Sequence, residues 1–262
     1  MNIGFIGLGT IGTEMVKRLR GADFPVTVYP RGAGLGEARE AGAGECDDYA
    51  RLAAQSDVLV LIVFSDDQLR DVLFAQGALA AMRPGTVVAV HVTGSPALRR
   101  EIQEKAPQGV DVLDATFSGS VPAVQQGKLT LMVGGSSEAL ERTRSVFATY
   151  ASNIFHVGKL GDAQVLKLLN NLVLAANMMN AAELLKAGES YGLDPQTVAS
   201  VLQTCSGASV AMGIFAHRKI PEAMESAGKY MAKDVEEAVM AADDVGLDLS
   251  AFGQTVGYWR SL

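Results

Sequence analysis

Short apolar runs alternate with helical patterns through roughly the first 160 residues of the chain. The run 2–6 (NIGFI) predicts a strand, 11–20 a helix, and 25–29 (PVTVY) a second strand. The run 57–64 (DVLVLIVF) has nothing polar after its first residue, and 86–92 (TVVAVHV) and 110–115 (VDVLDA) follow in kind. Two more strands are predicted at 128–135 (KLTLMVGG) and 153–158 (NIFHVG). A strand with one wet face alternates apolar and polar residues, whereas a strand covered on both faces is apolar throughout. Continuous apolar strands separated by helices therefore predict an α/β domain with a doubly wound, parallel sheet and helices on both faces.

The pattern changes after Gly161. From Asp162 to about Tyr191 the chain is rich in Ala, Leu, Met, Asn, Glu and Lys, with neither Gly nor Pro before Gly188. About thirty helical residues span some 45 Å at 1.5 Å per residue. The stretch 192–195 (GLDP) ends this helix, and helical patterns dominate to the last residue. No internal repeat or low-complexity linker interrupts the chain. Two domains are expected: 1–160, and an all-helical domain over 161–262 that the long helix opens.

Inside that helix, 165–174 (VLKLLNNLVL) carries three polar residues, Lys167, Asn170 and Asn171. Positions i, i+3 and i+4 share one face of a helix. A buried Lys is costly unless compensated. The stripe therefore either faces solvent or lines a site.

The segment 4–15 (GFIGLGTIGTEM) holds Gly7, Gly9 and Gly12 in the GxGxxG spacing, directly after a strand and at the start of a helix. In that context Gly7 permits the tight turn, Gly9 lets a pyrophosphate approach the backbone, and Gly12 allows close helix–strand packing. The helix N-terminus adds free N–H groups and the positive end of its dipole. The first domain is thus read as a Rossmann-type dinucleotide-binding domain. A site for NAD usually has an acid at the end of the second strand. Here 28–32 reads VYPRG, with Arg31 and no carboxylate. Arginine pairs well with a 2′-phosphate, so NADP is favoured, with NAD possible.

Composition narrows the classes. A formal net charge of −7 and the lack of a basic run argue against nucleic acid and anionic membrane surfaces as partners. Cys46 and Cys205 lie outside any CxxC or Cys/His cluster, so buried free thiols are expected. His91, His156 and His217 fit no metal spacing. His91 ends a strand near the nicotinamide end of the expected site, and a structural role is favoured for it. The chain begins at once with a strand-like run and shows no signal-peptide pattern. Its densest apolar run, 58–64, is too short to span a bilayer, and a cytoplasmic location is expected.

Four further stretches complete the picture: 91–96 (HVTGSP), 114–135 (DATFSGSVPAVQQGKLTLMVGG), 158–171 (GKLGDAQVLKLLNN) and 233–238 (KDVEEA). Together with the glycine loop, and in this order, they resemble the β-hydroxyacid dehydrogenases, among them 3-hydroxyisobutyrate dehydrogenase and the small semialdehyde reductases. The resemblance implies that Ser118 and Gly119 bind the substrate's carboxylate and hydroxyl, that Lys167 is catalytic, and that Asn171 contacts substrate. It implies that Thr93 stands between substrate and nicotinamide and that Lys233 closes over the cofactor. Gly7, Leu8, Gly9, Thr10, Ile11 and Gly12, with Arg31, Phe64 and Ser65, are the remaining expected cofactor residues. The family also implies a homodimer or homotetramer, and Ala175, Ala176, Ala181 and Ala182 offer small residues for close helix packing.

Departures from the family pattern are Val92 where Ser is usual, Ser120 where a second Gly is usual, Thr10-Ile11 in the fingerprint, and the lack of the usual last helix after 257–262 (GYWRSL). In the chemistry expected, Val165, Leu166, Leu168 and Leu169 surround Lys167 with apolar groups, which disfavours the ammonium and eases proton release. The predicted activity is NADP-dependent interconversion of a β-hydroxy acid and its semialdehyde, with a small carboxylate-bearing substrate. An imine reductase on the same scaffold is the alternative, and Lys167 argues against it. A non-catalytic NADP-binding protein is a second, and the presence of both Lys167 and Asn171 argues against that.

Overall fold

The computed structural model describes residues 1–244 and 246–261, and of Lys229 only the backbone. The chain divides into two compact units, Met1–Lys167 and Leu168–Leu262. The boundary thus falls within the long helix, a little after the change of pattern at 160.

The first unit alternates strands and helices in the order β1 (Ile3–Ile6), α1 (Thr10–Gly21), β2 (Val26–Val28), α2 (Leu35–Glu40), β3 (Gly44–Glu45), α3 (Tyr49–Gln55), β4 (Val58–Leu61) and α4 (Asp66–Arg70). It continues with β5 (Val87–Val90), α5 (Pro96–Lys105), β6 (Asp111–Ser118), α6 (Val121–Gln125), β7 (Leu129–Gly134), α7 (Ser137–Phe147) and β8 (Ala151–Gly158). The sheet order is β3-β2-β1-β4-β5-β6-β7-β8. Every pair is parallel except β6 with β7. That exception corrects the expectation of a wholly parallel sheet, and its cause is length. A parallel crossover takes about a dozen residues or more, and the link 119–128 is shorter, so the chain turns back on itself.

Residues of β1, β4 and β5 are buried without exception. Alternate residues point to opposite faces. Phe5, Val58, Val60 and Ala89 pack with Met15, Val16 and Leu19 of α1 on one side. Ile6, Leu59, Leu61, Val88 and Val90 pack with Leu52, Leu69, Leu98 and Ile102 on the other. Fully burying one such side chain contributes about 1.5–3 kcal/mol, which explains why these runs hold nothing polar. The run 57–64 leaves the sheet after Leu61, and Phe64 is exposed.

Helix α8 (Asp162–Ser190) runs from the first unit into the second, followed by α9 (Pro195–Leu202), α10 (Val210–Phe215), α11 (Ile220–Asp243) and α12 (Gly253–Arg260). In the second unit Leu172, Ala175, Met178, Ala182 and Leu185 of α8 pack with Phe215, Met224, Val235 and Trp259. The Trp259 Nε1–H donates to the Ala175 carbonyl at 3.1 Å. Ala175, Ala181 and Ala182, expected to let another helix pack closely, are buried within this unit's own core. Among the described residues no helix is long and apolar enough to cross a membrane.

Candidate active site

In an open α/β sheet, ligands bind outside the carboxyl ends of the strands, where the strand order reverses. Here the order reverses between β1 and β4. The C-terminal ends of β1, β2, β4, β5 and β6 open on one edge, and the loops after them carry most of the sequence-predicted site residues.

After β1 the backbone turns at Gly7 with φ 115°, where a Cβ would lie 2.1 Å from the Ile62 carbonyl oxygen. A Cβ on Gly12 would lie 2.0 Å from the Gly7 carbonyl oxygen, so α1 could not pack as it does. At Gly9 the situation is the reverse: among the described residues, no atom lies within 4 Å of an added Cβ. Gly9 caps α1 without a side chain, and the first turn holds no acid. The exposed Thr10 and half-buried Ile11 follow. The N–H groups of that turn, orphaned in any helix, face open space. An anion such as a pyrophosphate fits there. Buried Leu8 ties this loop to the next: its carbonyl accepts from the Gly34 N–H at 3.1 Å.

Beyond β2, the Tyr29 and Tyr49 rings stack at 3.7 Å with 9° between their planes. Arg31 is exposed, and its side chain lies beside the Tyr49 hydroxyl. Burial holds the Tyr49 hydroxyl's pKa up, and Arg31 pulls it the other way. Beyond β4, the Phe64 N–H donates to Gln68 Oε1 at 3.0 Å, and Ser65 Oγ accepts from the Gln68 N–H at 3.4 Å, capping α4. Tyr49 and Gln68 escaped the sequence reading.

The β5 and β6 ends carry the residues expected to meet substrate. Half-buried Thr93 follows β5, and half-buried Ser118 closes β6. Gly119 then turns with φ 139°. Val92 is only 2% exposed and belongs to the core, so its departure from Ser alters packing and does not face the site. His91 is buried: Nδ1 bonds the Ala115 carbonyl, and Nε2 lies 3.1 Å from the Tyr150 hydroxyl. Burial pulls its pKa down to about 4. A neutral, doubly bonded His is structural.

The first turn of α8 is fastened to this edge. Thr116 Oγ1 donates to the Ala163 carbonyl at 3.2 Å. Asp114 accepts from the Gln164 N–H at 2.8 Å and from Gln164 Nε2 at 2.6 Å. Burial pushes the Asp114 carboxyl up to about 6, against the opposing pull of Arg99 and Gln164. Gln164 and Arg99 also went unremarked in the sequence. The available signal was a lone amide amid the apolar residues 163–166 (AQVL).

Lys167 sits half-buried on α8, one turn beyond Gln164. Its expected apolar surround is corrected: Leu168 is buried, but Val165, Leu166 and Leu169 are exposed. Residues on both sides of Lys167 spread around the helix and cannot all face inward, and the face that carries Leu168 is the one that packs. In the second unit, Asn171 is buried; its Nδ2 donates to Asp234 Oδ2 at 2.6 Å and its Oδ1 accepts from Asn170 Nδ2 at 2.9 Å. Lys233 Nζ is 3.8 Å from Asp234 Oδ1. One carboxylate therefore orients both Asn171 and Lys233. Of the cysteines, Cys46 is buried, but Cys205 is exposed, contrary to expectation. Among the described residues, no three His, Cys, Asp or Glu side chains group as metal ligands.

Comparison with known proteins follows the same division. Residues 2–158 match the family model for the NAD binding domain of 6-phosphogluconate dehydrogenase. Residues 161–262 match that for the NAD-binding region of NADP-dependent 3-hydroxyisobutyrate dehydrogenase. The NAD-dependent L-serine dehydrogenase of Pseudomonas aeruginosa is 32% identical over 253 residues, covering 94% of this chain and 83% of that protein. The structure of Mycobacterium tuberculosis 3-hydroxyisobutyrate dehydrogenase with L-serine superposes with a TM-score of 0.85 at 27% identity, over 99% of this chain and 92% of that one. A solved complex with NADP+ and 2-OPP gives a TM-score of 0.86 at 26% identity, over 99% of this chain and 93% of that one.

Proposed function

Since the chain belongs to the β-hydroxyacid dehydrogenase family, nicotinamide-dependent oxidoreductases acting on CH–OH groups, we propose that it interconverts a small β-hydroxy acid and its semialdehyde, with NADP as hydride carrier. The observation that carries this reading is the open N-terminus of α1 above Gly9, on the same sheet edge as the Ser118–Gly119 turn. The first suits a dinucleotide's pyrophosphate, the second a small carboxylate. L-serine and 3-hydroxyisobutyrate, which the names of the relatives carry, both bear a hydroxyl on the carbon β to a carboxylate. That shared chemistry defines the substrate class.

The preference for NADP rests on Arg31, held beside Tyr49 at the end of β2, where an acid would favour NAD. When bound, the nicotinamide ring supplies or takes the hydride. The chain's residues do the rest. Gly7 to Gly12 hold the pyrophosphate, Arg31 the 2′-phosphate, and Phe64, Ser65 and Thr93 flank the nicotinamide end. Ser118 Oγ–H and the Gly119 N–H hold the substrate carboxylate. Lys167 Nζ takes the proton from the substrate hydroxyl during oxidation and returns it during reduction, help typically worth about 10²–10⁴ in rate. The resemblance assigns Asn171 to substrate and Lys233 to cofactor. Self-association into a dimer or tetramer is part of the reading, supported by the exposed Val165, Leu166, Leu169, Val173 and Leu184 on α8. The cytoplasmic assignment rests on composition alone.

The test is a panel of initial rates: 3-hydroxyisobutyrate, L-serine and other small hydroxy acids with NADP+ or NAD+, and small semialdehydes and cyclic imines with NADPH. Turnover of a β-hydroxy acid with NADP+ preferred upholds the proposal. Turnover of imines alone refutes it.

A further inference from the structure

Beneath the sheet edge lies a buried polar cluster that the scheme above does not use. Arg99 and Asp114 are fully buried, as is Gln164. Gln164 uses its whole amide. Oε1 accepts from the Gly94 N–H at 2.9 Å, while Nε2 donates to the Val92 carbonyl at 2.8 Å and to Asp114 Oδ1 at 2.6 Å. Arg99 donates to the same Val92 carbonyl at 2.7 Å and to Asp66 Oδ1 at 2.8 Å. Asp66 Oδ2 accepts from the Ser95 N–H at 2.7 Å. Arg99 Nε lacks a hydrogen-bond partner among the described residues and stands 3.9 Å from Asp114 Oδ1. The segment 92–95, which carries Thr93, is thus gripped from α4, α5 and α8, with Asp114 of β6 bonded behind Gln164. Even its glycine is dictated by the cluster: a Cβ on Gly94 would lie 2.2 Å from Asp66 Oδ1.

We propose that Gln164 is a positioning residue for the reaction: its side chain clamps the 92–95 segment to the first turn of α8 and so fixes Thr93 against Lys167, one helical turn further on. The inference rests on the reading of Thr93 and Lys167 as site residues. A fully buried amide that spends one acceptor and both N–H donors on three separate partners cannot be replaced in kind. Glutamate has no donor when ionised, and methionine has none at all. Buried polar networks of this sort specify one geometry when satisfied and are costly when partly satisfied. The glycine loop is not among the partners of Gln164, so the clamp bears mainly on turnover and leaves the loop that would hold the pyrophosphate untouched.

The test compares wild type, Gln164→Met and Gln164→Glu in the oxidation of 3-hydroxyisobutyrate by NADP+, at a temperature where circular dichroism shows all three folded. Gln164→Glu is the discriminating variant. Its second oxygen faces Asp114 and the Val92 carbonyl, and it can donate there only when protonated. Asp114 on β6 bonds position 164 directly, and Arg99 on α5, Asp162 on α8 and Asp66 on α4 are the further charged groups of the cluster. At low pH the variant's single O–H can donate to the Val92 carbonyl while the other oxygen still accepts from the Gly94 N–H, which restores the grip on 92–95 though not the bond donated to Asp114; with two carboxylates the grip opens. The ratio of its kcat to that of wild type should fall by about tenfold or more between about pH 5.5 and about pH 9, reversibly in one sample. Its KM for NADP+ should change less than about threefold. Gln164→Met should lose kcat at every pH, and amide exchange over 91–97 should rise relative to 2–12. A kcat ratio independent of pH, or an unaltered kcat in Gln164→Met, overturns the proposal and leaves Gln164 a residue of fold stability. If wild type oxidises no hydroxy acid, the functional reading fails and takes the positioning role with it; a wild type that turns over while Gln164→Met keeps its kcat overturns the positioning role alone.

Discussion

A buried imidazole and an exposed guanidinium mark the two extremes of what single residues disclose. Arg31 stands out in the sequence because charge at one known place, the end of β2, bears on cofactor choice, and its pairing with a 2′-phosphate is part of the proposal. Removing it should weaken NADPH by about 1.5–3 kcal/mol, the usual contribution of a charge-assisted bond. NADH should be almost unaffected. Fluorescence titration of Arg31→Ala with both cofactors checks this, and equal losses would contradict the assignment. His91 was placed correctly at a strand end, but its hydroxyl partner Tyr150 lies 59 residues away, beyond the reach of any local pattern. Its pKa drops from 6.5 to about 4, so the fold favours the neutral ring. That contribution is complete above about pH 6.5 and is lost as pH falls toward about 4. Asp114 runs the other way: its carboxyl is raised from 3.8 to about 6, so its contribution is present in acid and is lost as pH rises through about 6. The two offset each other in one window. His91→Gln should therefore lose less stability than wild type between about pH 7 and about pH 4.5, read by urea titration at each pH. An unchanged slope would show that His91 does not supply the acid limb.

Helix α8 was legible as an element but not as an environment. Its length follows from the absence of Gly and Pro between Asp162 and Gly188, yet which side is buried depends on what packs against it. The apolar neighbours Val165, Leu166 and Leu169 looked like a wall around Lys167 and are exposed. The stripe holding Asn171 was open to two readings, a wet face or a site lining, and Asn171 is buried against Asp234 of α11. The signal for that pairing was the 233–234 KD pair, read only for its lysine. Asp234→Ala leaves a buried amide donor unsatisfied, and the second unit should lose about 1–3 kcal/mol. Asn171→Asp should cost more, since it sets two carboxylates together. Thermal and urea unfolding of both variants test the order; a neutral Asp234→Ala would show that the bond stabilises nothing. Strand β3, with only Gly44 and Glu45, carries no apolar signal at all, and the reversal at β7 came from the length of a connection that the pattern of apolar runs does not weigh.

At the scale of the whole chain, the parallel strands and the glycine turn announce themselves because burial on both faces and a helix N-terminus each impose residue types at fixed spacing. The family's substrate chemistry is carried by fewer residues, and the buried cluster that fastens them came into view only with the fold. Everything converges on one proton. If Lys167 carries it, Lys167→Met should lower kcat for 3-hydroxyisobutyrate, or for the best substrate of the panel, by about 10²–10⁴. NADPH affinity should stay near that of wild type, because the backbone of residues 7–12, proposed to hold the pyrophosphate, is not altered. The deciding measurement is kcat and NADPH affinity for Lys167→Met beside wild type. Turnover lost with affinity kept is the predicted result; near-normal turnover in the variant would contradict the account at its centre.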